Sequence, residues 1–340
     1  MKILLVGLGS IGVRHANNIK RLRPETTLLA YRARGLPPSG LDSGVEFQAF
    51  TDLEEALSQY PEAVIIANPT ALHMPVALAA IRHGCHLFIE KPLSHSLEGV
   101  EELLAEAKAE RLSVMVGCNY RFHPGLRQIK QWLAEGRIGR MVSVEARAGE
   151  FLPDWHAGED YRRGYSARLD LGGGVILTFI HELDYIYWLF GLPIRVQAVA
   201  RKVSTLDIEV EDVAAITLDY GGVIAQVHLD YIQRPPERNC LFIGEEGTIL
   251  WDYYKDEARL FDASLGKWEV FSNPQGFERN SMYLDEMAHF FACMDGQEIP
   301  LVPGEEGRDV LALALAAKEA AEANRVVTLP LPAFSTKEAH

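Results

Sequence analysis

Cysteine is scarce: four in 340 residues, Cys85, Cys118, Cys240 and Cys293, with no CxxC pair among them. A zinc site or a disulfide framework needs clustered ligands, so this spacing argues against both, and reduced, buried thiols are expected. Long hydrophobic runs are missing too. Stretches such as Val64-Ile65-Ile66-Ala67 are strand-sized, far short of the ~20 apolar residues of a membrane-crossing helix. The apolar start, Ile3 to Val6, breaks at once into glycines and reads as a first strand rather than a signal peptide. Basic charge is in deficit, 33 Lys and Arg against 47 Asp and Glu, for a net charge of −14. A surface this acidic repels phosphate backbones and anionic lipids, which disfavours nucleic-acid and membrane roles and leaves room only for a local basic pocket. Repeats and low-complexity segments are absent. The expectation is a cytoplasmic protein acting on a small molecule, with frayed residues at Ser335–His340.

What is present is rhythm. Residues 1 to about 118 alternate short apolar runs (Ile3–Val6, Leu28–Tyr31, Val45–Ala49, Ala63–Ala67, His86–Ile89, Ser113–Val116) with amphipathic stretches (Ile11–Leu22, Asp52–Gln59, Leu72–His83, Ser96–Glu110). Strands separated by helices pair in parallel, so an α/β, doubly wound Rossmann sheet is predicted for 1–118. Asp52, and the serines at Ser94 and Ser96, are candidate N-caps. After Asn119 the rhythm changes to a helix (Gly125–Glu135), a strand (Met141–Arg147), a long polar and aromatic segment, an apolar helix (Val175–Phe190) and a run of strands. Val223, Ala225, Val227, Leu229 and Tyr231 share one face, and Gly221-Gly222 joins that strand to Val213–Tyr220 as a two-residue hairpin. Two helices, near Ser281–Met294 and Glu305–Asn324, follow. Residues 119–340 are therefore predicted as a second, α+β domain with a mainly antiparallel open sheet.

Gly7-Leu8-Gly9-Ser10-Ile11-Gly12 is a GxGxxG that follows a strand and opens a helix, the context that turns a weak motif into a dinucleotide site. The first glycine makes the turn, the second admits the pyrophosphate, and the third lets the helix approach the strand. About twenty residues on, where a NAD site carries a carboxylate, stand Arg32 and, two further, Arg34. Guanidinium groups bind a 2′-phosphate in a fork, so NADP is favoured, with NAD the alternative if both arginines are solvated loop charges. In a parallel sheet all strand C-termini share one edge, so the glycine turn, Asn68-Pro69-Thr70 and Glu90-Lys91-Pro92 should meet there. A lysine at that edge can orient a hydroxyl and share its proton; taken singly, a surface Glu–Lys pair is the commoner fate. No metal is called for by any ligand spacing.

These residues, with the Asn119-Tyr120-Arg121 start of the second domain, the Gly172-Gly173-Gly174…His181 block, Glu211-Asp212 and Gly244-Glu245-Glu246-Gly247, make the chain resemble the Gfo/Idh/MocA oxidoreductases, the glucose–fructose oxidoreductase and inositol dehydrogenase group. The resemblance covers nearly the whole chain. It implies hydride exchange between NAD(P) and a sugar, cyclitol or related hydroxyl compound, and an open sheet that often forms the subunit interface of a dimer or tetramer. It places Lys91 at the reacting hydroxyl, and Asn68, Thr70 and His73 at the nicotinamide end.

One departure stands out. Where such proteins commonly carry an aspartate before the histidine, this chain has Thr178. Thr178, His181 and Asp184 fall at i, i+3, i+6, close to one helical face, with His181 as acid/base and Asp184 as the group that orients it. The competing reading is a satisfied core histidine on a buried helix. Tyr120, Arg121, His123, Trp155, His156, Tyr161, Arg162, Arg163 and Tyr165 crowd into loop-like regions; aromatic faces pack on sugar C–H groups and arginines bind anionic substituents. Tyr120, Arg121, Trp155, His156, Tyr161, Arg162 and Thr178 are thus candidate substrate contacts beside Lys91 and His181, unless the loop wraps a neighbouring subunit. Two other functional readings remain: a dinucleotide-sensing scaffold without turnover, and an enzyme that keeps its cofactor bound and oxidises and re-reduces within one cycle.

Overall fold

The structure, a computed structural model, describes residues 1–32, 40–155 and 158–329. Arg34, His156 and the expected frayed end, Ser335–His340, lie outside the described residues. Two compact units emerge, residues 1–119 with 278–311, and residues 120–277 with 312 onward.

In the first unit, β1 (Lys2–Val6), β2 (Thr27–Tyr31), β3 (Gln48–Phe50), β4 (Ala63–Ile66), β5 (His86–Glu90) and β6 (Val114–Gly117) form one sheet in the order β3-β2-β1-β4-β5-β6. Every pairing in it is parallel. The helices α1 (Ser10–Leu22), α2 (Leu53–Leu57), α3 (His73–Arg82) and α4 (Val100–Glu110) separate the strands. The strands are apolar throughout because both faces are covered: Ile3, Leu4, Leu5, Val64, Ile65 and Ile66 are all fully buried. Asp52 caps α2, accepting from the Glu55 amide at 2.8 Å as its position predicts. The serines do not cap α4, which starts later than expected because Gly99 takes the N-cap with φ +77°.

The second unit holds α5 (Pro124–Ala134), β7 (Met141–Gly149), α6 (Val175–Thr178), α7 (His181–Phe190), β8 (Arg195–Arg201), β9 (Val213–Asp219), β10 (Ile224–Asp230), β11 (Glu237–Gly244), β12 (Gly247–Asp252), β13 (Glu257–Asp262) and β14 (Lys267–Ser272). With β15 (Val327–Thr328) the strands make a sheet ordered β14-β13-β12-β11-β7-β10-β9-β8-β15. It is antiparallel except where β7 runs parallel to β10. The β9–β10 hairpin turns at Gly221-Gly222, with Ile224 opposite Asp219. Helices α5, α6 and α7 pack on one face. Period-two alternation buries Ala225, Val227 and Leu229 on that face and leaves Ile224 on the other, half exposed.

Two helices lie later in the chain, α8 (Arg279–Met294) and α9 (Gly304–Ala323). Helix α8 clusters with the first unit and the division falls inside α9, so each compact unit draws on two separate stretches of chain. Asn18 and Asn280 exchange hydrogen bonds at 3.2 and 2.9 Å, and the Phe290 ring meets Phe88 edge-on at 5.6 Å. Local periodicity reports that a segment is helical and carries no information on which sheet it returns to.

At the start of α5, the buried His123 accepts from the Gly125 amide through Nδ1 at 3.0 Å, and its ring packs against Trp251 and Phe277 at 5.2 and 5.3 Å. Burial lowers its pKa to about 4. The unfolded chain protonates first, near 6.5, so stability is complete above that pH and is lost as the pH falls toward 4, by at most ~3 kcal/mol. Urea unfolding across this window should show the slope, and His123→Asn, which keeps a capping acceptor, should flatten it. In the first unit, Ile65→Ala should cost about 2–5 kcal/mol by the same assay.

Candidate active site

Parallel pairing decides what gathers at the edge of the first sheet. Val6 lies opposite both Tyr31 and Ile66, and Ile66 opposite Ile89. The chain leaves these strands on one side, so the glycine turn, Arg32, Asn68-Pro69-Thr70 and Lys91 all emerge there.

Sterics explain the glycines. Gly7 has φ +90°, and a Cβ on it would sit 2.7 Å from the Ala67 carbonyl oxygen. A Cβ on Gly12 would sit 2.0 Å from the Gly7 carbonyl oxygen, a distance no side chain tolerates. Gly9 differs: a Cβ there meets nothing within 4 Å. Gly9 is also the N-cap of α1 and offers no side chain to the first-turn amides. Ser10 beside it is exposed and Ile11 half-buried. Open space before a helix N-terminus is what a pyrophosphate requires, so these residues fit a dinucleotide. The buried Asn68 Oδ1, without a hydrogen-bond partner among the described residues, fits the same group. Arg32 is half-buried at the end of β2, its amide bonded to the Phe50 carbonyl at 3.0 Å.

Two neighbours of this edge turn inward. His73, expected to line the nicotinamide end, is buried between the Asn68 and Pro92 carbonyls, at 2.9 and 3.0 Å, and ties two strand ends together. Burial lowers its pKa, against the opposing pull of those carbonyls. Thr70 is buried too. Glu90, expected among the cofactor contacts, directs its carboxylate at His15 of α1, Oε1 to Nε2 2.7 Å, and is only 8% exposed. Lys91, the next residue, is half-buried.

In the second unit the expected single helix Val175–Phe190 is broken. It ends at Thr178, Phe179 takes φ −96°, ψ 38°, and α7 restarts at His181. Thr178 and His181 therefore do not share one continuous helical face. Thr178 Oγ1 accepts from the Tyr231 hydroxyl at 2.7 Å in the core. Glu211 holds the start of α6, its carbonyl accepting from the Val175 amide at 3.0 Å.

Asp184 also has a different office from the one expected. Arg121 Nε approaches both its oxygens at 3.1 Å, and Arg121 Nη2 approaches Oδ1 at 2.7 Å, with both side chains wholly buried. Arg121, expected among the substrate contacts, is thus tied to α7 through Asp184.

His181, 6% exposed, presents its ring edge-on to Tyr120 at 4.6 Å. The Arg238 guanidinium covers the Tyr120 ring at 4.7 Å and donates to its hydroxyl. Arg238 also pairs with buried Glu182 at 2.8 Å. Arg238 and Glu182 escaped the sequence reading. A signal existed, because Arg238 shares the inward face of β11 with Cys240 and Phe242, and a charge at an inward position needs a partner.

The loop candidates are largely committed to their own segment. Trp155 packs on Phe179 and Tyr231 at 5.4 and 5.6 Å. The Tyr161 hydroxyl accepts from the Asp207 amide at 3.1 Å. Arg162 forks onto Asp160 at 2.8 Å and reaches Asp207 at 3.2 Å while more than half exposed.

Comparison with known proteins agrees with the geometry. The family description "Oxidoreductase family, NAD-binding Rossmann fold" matches residues 1–118, and "GFO/IDH/MocA C-terminal domain" matches 126–250. A myo-inositol 2-dehydrogenase of Thermotoga maritima is 26% identical over 343 residues, covering 97% of this chain and 98% of the relative. A 1,5-anhydro-D-fructose reductase of Ensifer adhaerens is 28% identical over 280 residues, covering 81% and 82%. A levoglucosan dehydrogenase solved in complex with NADH superposes with a TM-score of 0.86 at 20% identity, over 97% of this chain and 99% of that one, and speaks to the fold alone. The glycine turn, the lysine at the β5 end and the two matching domains together make this chain a member of the GFO/IDH/MocA family of oxidoreductases.

Proposed function

We propose that the chain is an NAD(P)-dependent dehydrogenase acting on a CH–OH carbon of a sugar, cyclitol or sugar derivative. The observation that carries this is Lys91 at the end of β5, on the same sheet edge as a glycine turn shaped for a dinucleotide. The relatives named for inositol and anhydrofructose support the substrate class. A bound nicotinamide supplies the hydride acceptor at its C4. The Lys91 ammonium donates to the substrate oxygen, which stabilises charge as the O–H bond weakens. The His181 imidazole takes that hydroxyl proton while the carbon loses its hydride, and in reduction the two transfers reverse. Tyr120, seated under Arg238, gives His181 a fixed wall, and the Arg121–Asp184 pair holds the helix that carries it.

NADP is preferred in this reading, because Arg32 stands where a NAD site carries a carboxylate. The protein is cytoplasmic in this reading, in keeping with four free, buried thiols; among the described residues no helix is long and apolar enough to cross a membrane. The sheet face on which Val199, Ile224 and Val270 are each more than half exposed is the surface proposed for homo-oligomer assembly.

Fluorescence titration should find NADPH bound about tenfold or more tighter than NADH, and Arg32→Ala should erase most of that gap; equal or tighter NADH binding would defeat the preference. Following NAD(P)H formation over a panel of sugars and cyclitols, Lys91→Met and His181→Ala should each lower kcat by about 100-fold or more with cofactor affinity retained. Asp184→Asn should instead lower the melting temperature, since it removes the carboxylate charge from a wholly buried ion pair, a cost of about 3–5 kcal/mol. Wild-type turnover in Lys91→Met would remove the lysine from the mechanism.

A further inference from the structure

We infer that His15 and Glu90 are a positioning pair, a buried hydrogen bond through which α1 sets the orientation of the β5 end and so of Lys91. The inference rests on the reading of Lys91 as the hydroxyl-binding lysine and adds to it the part that holds it.

Both residues belong to the first unit, and both are buried. His15 is 0% exposed and Glu90 8%, with Nε2 and Oε1 2.7 Å apart. The imidazole meets Phe88 of the same strand edge-on at 5.0 Å and Tyr283 of α8 at 6.1 Å. The opposite ring nitrogen, Nδ1, is buried without a hydrogen-bond partner, so Glu90 is the one side chain bonded to the His15 ring among the described residues. Beside the carboxylate, a Cβ on Gly117 would come within 3.3 Å of Glu90 Cδ, so glycine at this position of β6 gives the Glu90 side chain its room.

The consequence follows from strand geometry. Successive side chains on an extended strand point to opposite sides, so clamping Glu90 inward fixes the rotation of the backbone from which Lys91 leaves. His15 lies six residues into the helix whose N-terminus opens at Gly9, about 9 Å along its axis. The same rigid helix therefore presents the dinucleotide-binding amides at one end and grips the lysine's strand with its side. A histidine with one partner is a poor choice for stability alone, because an apolar pair of similar volume is often neutral or better at such a place.

The test compares His15→Asn with His15→Gln. The two amides differ by one methylene: glutamine can bring Nε2 to the position of the imidazole Nε2, and asparagine falls short. In the full-length protein, competitive acetylation with acetic anhydride, read by mass spectrometry, reports Lys91 reactivity against the other lysines. His15→Asn should change that ratio by about threefold or more, and His15→Gln should restore it. On the sugar that wild type oxidises fastest, His15→Asn should lower kcat about tenfold or more, with the Kd for NADPH within about twofold. Lys91 reactivity equal in the two variants, or NADPH affinity falling in step with kcat, overturns the pair. If asparagine costs the fold, the double variant His15→Leu/Glu90→Leu, which leaves no orphaned charge, makes the same comparison through turnover, and wild-type kcat in it overturns the pair. Lys91→Met separates the two claims. Full turnover there sinks the reading of Lys91 itself, whereas lost turnover there, with Lys91 indifferent to residue 15, sinks only its positioning by His15.

Discussion

Parallel strand pairing is the constraint from which the rest of the first unit follows. Apolar strands separated by amphipathic helices can bury both faces of a sheet only by returning each strand in the same sense, and every connection then ends at one edge. The order β3-β2-β1-β4-β5-β6 puts β1 and β4 side by side at the centre, so the glycine turn and Asn68 leave neighbouring strands, with Lys91 one strand further on. Within that edge, close packing divides the labour. Gly7 and Gly12 are glycine because backbone lies where a side chain would go, and Gly9 is glycine where the chain leaves open space.

The second unit rests on a different device, charges taken out of water in pairs. Arg121 with Asp184 and Arg238 with Glu182 each bury a full charge that would be costly alone. Their value lies in direction more than in net stability. The first pair draws α7 onto the segment after Asn119. The second spreads a guanidinium over Tyr120, and Tyr120 in turn bounds the His181 ring. The break after Thr178 lets His181 begin a helix of its own, with Glu182 following directly behind it.

Much of this was legible in the sequence. The six strand segments of the first sheet follow from short apolar runs, and the hairpin at Gly221-Gly222 and the inward face of β10 from glycine placement and a period of two, all of them local properties. The glycine turn and Lys91 could be placed together because parallel sheets leave little topological freedom. What could not be read was partnership over distance. Nothing near Glu90 says that its carboxylate faces His15, 75 positions away. Nothing near Asp184 says that Arg121 takes it before His181 can. The break in Val175–Phe190 was hidden because Phe179 and Ile180 are apolar and continue the helical pattern. The return of α8 to the first unit was hidden for the same reason, since amphipathicity names a buried face without naming what covers it. Arg238 was a readable signal passed over: a charged residue in phase with Cys240 and Phe242.

The account turns on direct hydride exchange between a sugar carbon and nicotinamide, with Lys91 on the substrate oxygen. Incubating the protein and NADP with sugars and cyclitols deuterated at carbon, then weighing the reduced cofactor by mass spectrometry, tests this most directly. The account predicts one deuterium carried onto the nicotinamide ring from at least one of these compounds, and none when Lys91 is methionine. Cofactor that binds yet gains no deuterium from any of them, or gains it equally without Lys91, would contradict it.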